Sequence, residues 1–491
     1  MAARKAGAAR GRWARAGAAL LAVLCLGGFA LMPATSAAFT ATTTGPASSF
    51  GARATFGLTQ TAPCFSDSGA GGCPMASGVA QTAGVVISPD GKHVYTSSVY
   101  STAVSEFSRN ATTGALTQLA SPNACVSNKT TGIPAGCNSL AGVLNGNYDL
   151  AISPDGKNVY SVAYSGHTIG AFSRNATTGV LTALASPNKC LYDVSVSSPP
   201  TGCTSARQIR GADGIAVSPD GAYVYVASFL SNSLAVFARN ATTGVLTQMS
   251  GTSGCYTDGG APGCTTAAGM ANPFYVRTSP DGASVYVASN GSNAVSIFQR
   301  NMTTGVLTQP AGPNSCVYNN GSPVVAGCTA VQGLKGAYYV AVAPDGATVY
   351  ASGNGSSSVA AFKRNPTTGV LTQLASPNAC LYNGTGTAIP GCTAAQAIAG
   401  PTGIAFSPDG LFAFVNGSDG VAVFRHDSST GVLTQLAGTS GCIAMSSTIG
   451  CTTGIGLRSP ITLAVSPDGR DVYVAAGTSS TGTVTTLNFT H

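Results

Sequence analysis

Charge is scarce in this chain of 491 residues: Asp, Glu, Lys and Arg together make up 8% of it. Glutamate occurs once, as Glu106, and tryptophan once, as Trp13; there are four histidines. With so few ionisable side chains, Thr, Ser, Asn and Gly must carry most of the surface hydration. The formal net charge of +7 would suggest an anionic partner, but five of its basic residues, Arg4, Lys5, Arg10, Arg12 and Arg15, crowd the N-terminus. Without residues 1–38 the charge falls to +2. No clustered basic face then remains, and nucleic acid is not expected as a partner. Helical periodicity of useful length is absent, which excludes a helical core. Short Cys-x-x-Cys or Cys/His groups are absent too, so the cysteines do not read as metal ligands and no metal or cofactor is expected.

The N-terminus is the first positive signal. The basic cluster precedes an apolar run from about Ala16 to Leu31, and the small residues Thr35-Ser36-Ala37-Ala38 follow. That order is a secretory signal peptide over 1–38, and the run is short for a membrane anchor. Cys25 lies inside the run without the small residue before it that lipid attachment needs. A Thr/Ser/Ala-rich linker over 39–53 leads to one domain, 54–491. The mature chain is expected to be extracellular, to have no membrane span, and to be a monomer.

Seven Pro-Asp-Gly turns punctuate that domain, centred on Asp90, Asp155, Asp220, Asp281, Asp345, Asp409 and Asp468. Their spacings of 65, 65, 61, 64, 64 and 59 residues mark a repeat. Each unit reads as four short strands, as in strand a Gly214–Ser218, strand b Tyr223–Ser228, strand c Ser233–Ala238 and strand d Gly244–Met249. These are rich in Val, Tyr, Phe and Thr and bounded by Gly, Pro, Asn or Ser. Pro-Asp-Gly suits a tight a–b hairpin, because Pro presets φ and Gly takes the left-handed position. Seven units of four antiparallel strands predict an all-β, seven-bladed β-propeller. The C-terminus ends on a strand c (Thr483–Phe489) with no strand d behind it. Gly57-Leu58-Thr59-Gln60 is a strand d with nothing before it. An N-terminal outer strand therefore closes the last blade and hides edges otherwise exposed.

Fourteen cysteines remain beyond Cys25, in pairs just after strand d: Cys64/Cys73, Cys125/Cys137, Cys190/Cys203, Cys255/Cys264, Cys316/Cys328, Cys380/Cys392 and Cys442/Cys451. Each pair lies inside one d-to-a loop, and neighbouring pairs are a blade apart. Seven local disulfides are expected, worth roughly 3 kcal/mol apiece in the chain-entropy model.

Functional residues should stand where the repeat breaks. The turn aspartates read as turn chemistry, and the Asn-x-Thr segments at Asn110, Asn175, Asn240 and Asn301 likewise. Breaks concentrate in blades 2 and 3, on the face opposite these turns. Asp149 and Asp213 occupy mouth positions of strand a on adjacent blades, beside Tyr148, Phe274, Tyr275, Tyr338 and Tyr339. His167 is the only histidine in a b–c loop, and Arg207 and Arg210 enter blade 3. Glu106 replaces an apolar residue in strand c of blade 1 and reads as a paired structural charge.

The strand a–Pro-Asp-Gly–VYVA unit, the strand c ending in Phe and the TG-x-LT strand d resemble the seven-bladed lactonase propellers. That family includes 6-phosphogluconolactonase-like and carboxymuconate-lactonising proteins, and the likeness covers about residues 54–491. It implies a propeller and, by extension, lactone ring opening. Members often carry Gly-Pro-Arg-His entering strand a; here Gly400-Pro401-Thr402-Gly403 and Gly211-Ala212-Asp213-Gly214 stand in its place. Two readings follow. The first is an extracellular binding or scaffold module acting through the disulfide-stiffened face on a small molecule, glycan or surface protein. The second is a lactone hydrolase with His167 or Asp149 as base, Asp213 as orienting group, and Arg207 and Arg210 holding a carboxylate and the developing oxyanion.

Overall fold

The computed structural model describes residues 56–445, 450–478 and 481–490. The signal and linker segments expected over 1–53 lie outside the described residues. Ala54–His491 groups as one unit of seven sheets, with no α-helix among the described residues.

Each sheet is one blade, and the sequence explains its strands. In blade 3, Ala212–Val217 pairs with Tyr223–Ser228, which pairs with Ser233–Arg239, all antiparallel. Tyr223–Ser228 is buried along nearly its whole length, so both of its faces are apolar and YVYVAS does not alternate. The core is not one cluster but seven. Each lies between neighbouring blades, as where Tyr95 and Val104 of blade 1 pack on Val159 and Phe172 of blade 2. A blade therefore has no core of its own, and ring closure completes the last interface.

Closure follows the expected scheme. Gly57–Thr59 pairs antiparallel with Thr481–Thr490, the last strand of the chain. Phe65–Ser66 pairs further along the same strand.

The blades differ from the expected four strands in one respect. The outer strand is broken in two: Leu116–Gln118 and Cys125–Ser127 both pair with Ala103–Arg109. A further strand, Cys137–Ser139, then runs parallel to Cys125–Ser127 on the outside. Six blades repeat this six-segment plan, and the closing blade has five segments.

All seven expected disulfides form: Cys64–Cys73, Cys125–Cys137, Cys190–Cys203, Cys255–Cys264, Cys316–Cys328, Cys380–Cys392 and Cys442–Cys451. Their Cα–Cα distances are 4.5–4.9 Å. Their setting, however, corrects the expectation of a plain loop after strand d. In blades 1–6 the first cysteine opens the second half of the outer strand. Of the second cysteines, Cys137, Cys328 and Cys392 open the extra parallel strand, while Cys203, Cys264 and Cys451 stand directly before it. Cys73, in the closing blade, instead follows the short 3-10 turn Ala70–Gly72. The physical reason is edge pairing: the second half of the outer strand has backbone groups facing outward, and the returning chain satisfies them. In blades 1, 4 and 5 the paired cysteines are direct neighbours across the parallel strands, so the bridge pins that edge to the blade.

The turn aspartates do what turn chemistry requires and also clasp the blades. Asp90 accepts from the Ser88 hydroxyl (2.5 Å) and the Lys92 amide (3.2 Å). It also takes Arg174, the last residue of strand c in blade 2, at 2.8 Å. Asp155–Arg239 and Asp281–Arg364 repeat the contact at 2.8 Å, Asp468–Arg109 closes the ring at 2.7 Å, and Asp220 meets Arg300. Blade 6 carries His426 at this position, bonded to Gly410 O and Thr348 Oγ1. Blade 7 carries Phe489, which packs on Phe412 and Phe414. Glu106 has no such cation. Its Oε2 accepts the Leu181 amide of blade 2 (2.9 Å), and no ion pair to it forms among the described residues. The expectation of a paired charge is corrected accordingly.

Candidate functional site

The residues that break the repeat at the channel mouth are aimed by bulges. In blade 2 the register against strand b slips, so that Val162 opposes Asp149 while Ala163 opposes Asn147, leaving Tyr148 unpaired. The same slip leaves Asp213 unpaired in blade 3, Phe274 in blade 4, and Tyr338 with Tyr339 in blade 5. A bulge redirects the side chain it carries. Here the carried side chains are aromatics and one acid.

The aromatics form a continuous run. Ring centroids are 5.5 Å apart for Tyr148–Tyr164, 6.0 Å for Tyr164–Phe229, 5.1 Å for Phe229–Phe274 and 4.4 Å for Phe274–Tyr338. Tyr275 then lies 5.6 Å from Tyr338 and 4.8 Å from Tyr339. Tyr164 and Phe229 were not singled out by the repeat analysis. Their signal is an aromatic at the end of strand b in blades 2 and 3, where the other blades have Val99, Asn290, Asn354, Ser418 or Gly477.

Arg277 was also missed. It occupies a strand-a slot filled by Val86, Ala151, Ala216, Ala341, Ala405 and Ala464 elsewhere, and a lone charge in that column is the signal. Its Nη2 donates to the Tyr339 hydroxyl (2.7 Å), and its Nη1 to Val276 O (2.8 Å). Its guanidinium carbon lies 4.7 Å from the Tyr339 ring centre and 5.3 Å from that of Tyr275. Asp149 Oδ2 is 3.8 Å from Nη1 and accepts the Ile215 amide of blade 3 at 3.2 Å.

The two carboxyls differ in environment. Both are buried, at 3% exposure for Asp149 and 1% for Asp213. Burial raises the Asp149 pKa, while Arg277 and the Ile215 and Leu150 amides oppose the rise. Burial raises Asp213 much further, and the Asp149 charge adds to it with nothing opposing. Asp213 Oδ1 has no hydrogen-bond partner among the described residues, nor has the buried Tyr275 hydroxyl. Two acids that repel one another in a buried site do not both ionise readily. Asp213 is thus the acid held more strongly toward its neutral form, and Asp149 is the one that faces the Arg277 cation. Such a set can bind hydroxyls or exchange protons with a ligand.

The structure thus brings together Asp149, Asp213, Tyr148, Phe274, Tyr275, Tyr338 and Tyr339. His167 takes another position. It sits at left-handed φ of 53°, as do Thr102, Asn232, Asn293 and Ser357 at the same turn. Gly211 N–H lies 3.0 Å from His167 Nδ1. Asn232, Asn293 and Ser357 accept the equivalent amides of Asn272, Gly336 and Gly400. His167 Nδ1 thus stands where the other blades place an acceptor for that amide. It also lies 2.7 Å from Tyr164 O, so the ring proton decides which of the two contacts is a hydrogen bond. Arg207 donates to the carbonyls of Gly251 (3.1 Å) and Gly263 (3.2 Å) at the rim of blade 3. Arg210 is exposed, and its amide donates to Ser231 Oγ. Among the described residues none of the three bonds to either carboxylate. Both arginines line a rim groove of about 410 Å³ with Asp193. A wider cleft of about 760 Å³ lies at the rim between blades 5 and 6, where Asp419 is the only ionisable lining residue among the described residues.

Fold and mouth together define a seven-bladed propeller with a polar, aromatic-lined channel entrance. Residues 189–317 match the family model of the lactonase, 7-bladed β-propeller. This match spans Asp213 and Arg277, and it bears out the resemblance read from the repeat: the chain has a lactonase-type propeller fold. A comparison with curated proteins finds no match. Among solved structures, the Pseudomonas aeruginosa periplasmic gluconolactonase is similar at 15% identity, over 76% of this chain and 87% of its own, with a TM-score of 0.48. A candidate 6-phosphogluconolactonase of Bacteroides fragilis is similar at 21% identity, over 72% and 83%, with a TM-score of 0.47. Hydrazine synthase of Kuenenia stuttgartiensis is similar at 14%, over 84% and 97%, with a TM-score of 0.48. Likenesses this distant carry no chemistry across to this chain.

Proposed function

We propose that the chain is an extracellular ligand-binding propeller whose channel mouth receives a small hydroxylated ring compound. The observation that carries this reading is Asp213: a buried carboxyl with an unpartnered oxygen, set among Tyr148, Tyr164, Tyr275 and Tyr338. A buried polar atom left without a partner is costly, and a bound hydroxyl or carbonyl would satisfy it. The aromatic run offers apolar faces on which a ring can stack. Seven disulfides and the lack, among the described residues, of any helix long and apolar enough to cross a membrane are compatible with an exported chain. Calorimetry with saccharides and lactones on the secreted protein tests the reading. Binding that Asp213→Leu abolishes supports it, and binding indifferent to that change refutes it. N-terminal sequencing of the secreted product tests cleavage near Ala38.

A second reading, lactone hydrolysis, is favoured by the unequal carboxyls beside Arg277. Asp149 would take the proton of an attacking water, Asp213 would return one to the departing ring oxygen, and Arg277 would steady the charge on the carbonyl oxygen. This replaces His167, Arg207 and Arg210 with groups that share one mouth. Turnover of a δ-lactone that Asp149→Asn and Arg277→Met each reduce at least a hundredfold supports it; turnover unchanged by both refutes it.

A further inference from the structure

We infer that the channel mouth selects uncharged ring compounds and discriminates against their phosphorylated or carboxylated forms. This rests on the reading of the mouth as a ligand site and adds the charge class of what enters.

The charges free to meet a ligand decide the matter. Arg277 is the cation of the constellation, and four of its five N–H donors already point at protein oxygens. Nε and Nη2 both point to the Tyr339 hydroxyl, and Nη1 to Val276 O and, at 3.4 Å, Ile215 O. Its charge is faced by Asp149, and the Tyr275 and Tyr339 rings lie against the guanidinium, with 26% of the side chain left exposed. An anionic ligand needs donors aimed at it, and a guanidinium held this way has few to give. The other cations of this sector are elsewhere. Arg207 is bound to two rim carbonyls, and Arg210 is exposed on the rim groove.

The acids point the same way. Asp149 and Asp213 share the mouth with one cation, Arg277, which Asp149 already faces, so the geometry leaves no unpaired cation for an anion. A phosphate brought here would meet two buried acids and no unpaired cation, in surroundings where water screens poorly. A hydroxyl or carbonyl meets the reverse situation. Asp213 Oδ1 and the Tyr275 hydroxyl are buried and unpartnered, and both match neutral polar groups.

The test uses the full secreted chain and three ring skeletons, each offered neutral and phosphorylated. The pairs are methyl glucoside with glucose 6-phosphate, myo-inositol with its monophosphate, and gluconolactone with its 6-phosphate. Calorimetry in low salt is expected to give at least tenfold tighter binding of the neutral member. Asp213→Leu, checked for folding by circular dichroism, should abolish that binding. Asp149→Asn should narrow the ratio at least threefold, because it removes the carboxyl that faces Arg277. Equal or tighter binding of a phosphorylated member, abolished by Asp213→Leu, overturns the charge rule and leaves the site standing. If no probe binds, or binding ignores Asp213→Leu, the site reading and the charge rule fall together.

Discussion

Arg174 Nη2 lies 2.8 Å from Asp90 Oδ2, and through that contact blade 2 holds the a–b turn of blade 1. The same guanidinium reaches the Tyr95 hydroxyl (3.0 Å) and His93 Nδ1 (2.6 Å) of blade 1, and Gly156 O (3.1 Å) of its own blade. Tyr95 in turn donates to Gly179 O at 2.6 Å. One side chain at the end of strand c thus ties together two turns and a buried tyrosine.

Removing it should be costly. Arg174→Met is expected to lower stability by about 2–4 kcal/mol, because it strands partners that burial keeps from water. The Asp90 pKa supplies a second readout. Partial burial works to raise it, but Ser88 and Arg174 hold it down to about 2. A depressed acid contributes stability above about pH 4 and loses it as pH falls toward 2. The variant should therefore lose stability less steeply than wild type between those values. Urea titrations across that range check both effects.

His93 makes the same clasp sensitive to milder acid. Burial, and then the Arg174 charge, lower its pKa, with Lys92 acting the same way and Asp90 opposing. Arg174 can only donate, so Nδ1 must accept and the ring is neutral. A histidine with a depressed pKa contributes stability above pH 6.5, lost as pH falls through its folded value. Blade 2 has Asn158 at this position, accepting Arg239 Nη2 at 2.7 Å. His93→Asn should therefore keep the clasp and lessen the loss of stability as pH falls below 6.5, read by thermal melts.

Glu106 has the opposite sign. Burial pushes its pKa up to about 8, against the Leu181 amide that favours the charged form. The folded chain then holds a proton the unfolded chain would release. Its contribution is fully present below about pH 4.5 and lost as pH rises through 8. Glu106→Gln keeps an acceptor for the amide and titrates nothing. It should match wild type near pH 4 and exceed it by a few kcal/mol at pH 9, since each tenfold change in proton affinity is worth about 1.36 kcal/mol. Equal stability at pH 9, measured by urea unfolding, would contradict a neutral buried Glu106.

Asp213 should also depress stability where it is needed for binding. Its raised pKa makes folding less favourable as pH rises above the ordinary carboxyl range. Asp213→Leu is expected to melt higher than wild type at pH 8, with the gain shrinking at pH 4. A site that trades stability for function has this signature. A variant less stable than wild type at both values would show that Asp213 is a structural acid.

The ring and the order of its blades follow from local chemistry along the chain. Turn residues, strand composition and cysteine spacing act within one repeat, so seven copies of a local code announce seven blades. The two incomplete terminal strands announce their own pairing for the same reason. Asp149, Asp213 and five of the aromatics were legible as breaks in that repeat, since a departure from a repeated column needs no coordinates to be seen. The split outer strand was not, because it depends on which residues of strand c find partners on either side of the interruption between Gln118 and Cys125. The clasps were hidden as well: Asp90 and Arg174 are 84 residues apart, and each looks like an ordinary turn or strand end alone. The mouth was shaped by contacts between blades. Bulges aimed Tyr148, Asp213, Phe274 and Tyr338, and packing across blades set Arg277 beside Asp149. His167 was drawn into a turn lock. Its chemistry suggested a base, but a left-handed backbone and a neighbouring amide had already given its nitrogen a structural partner.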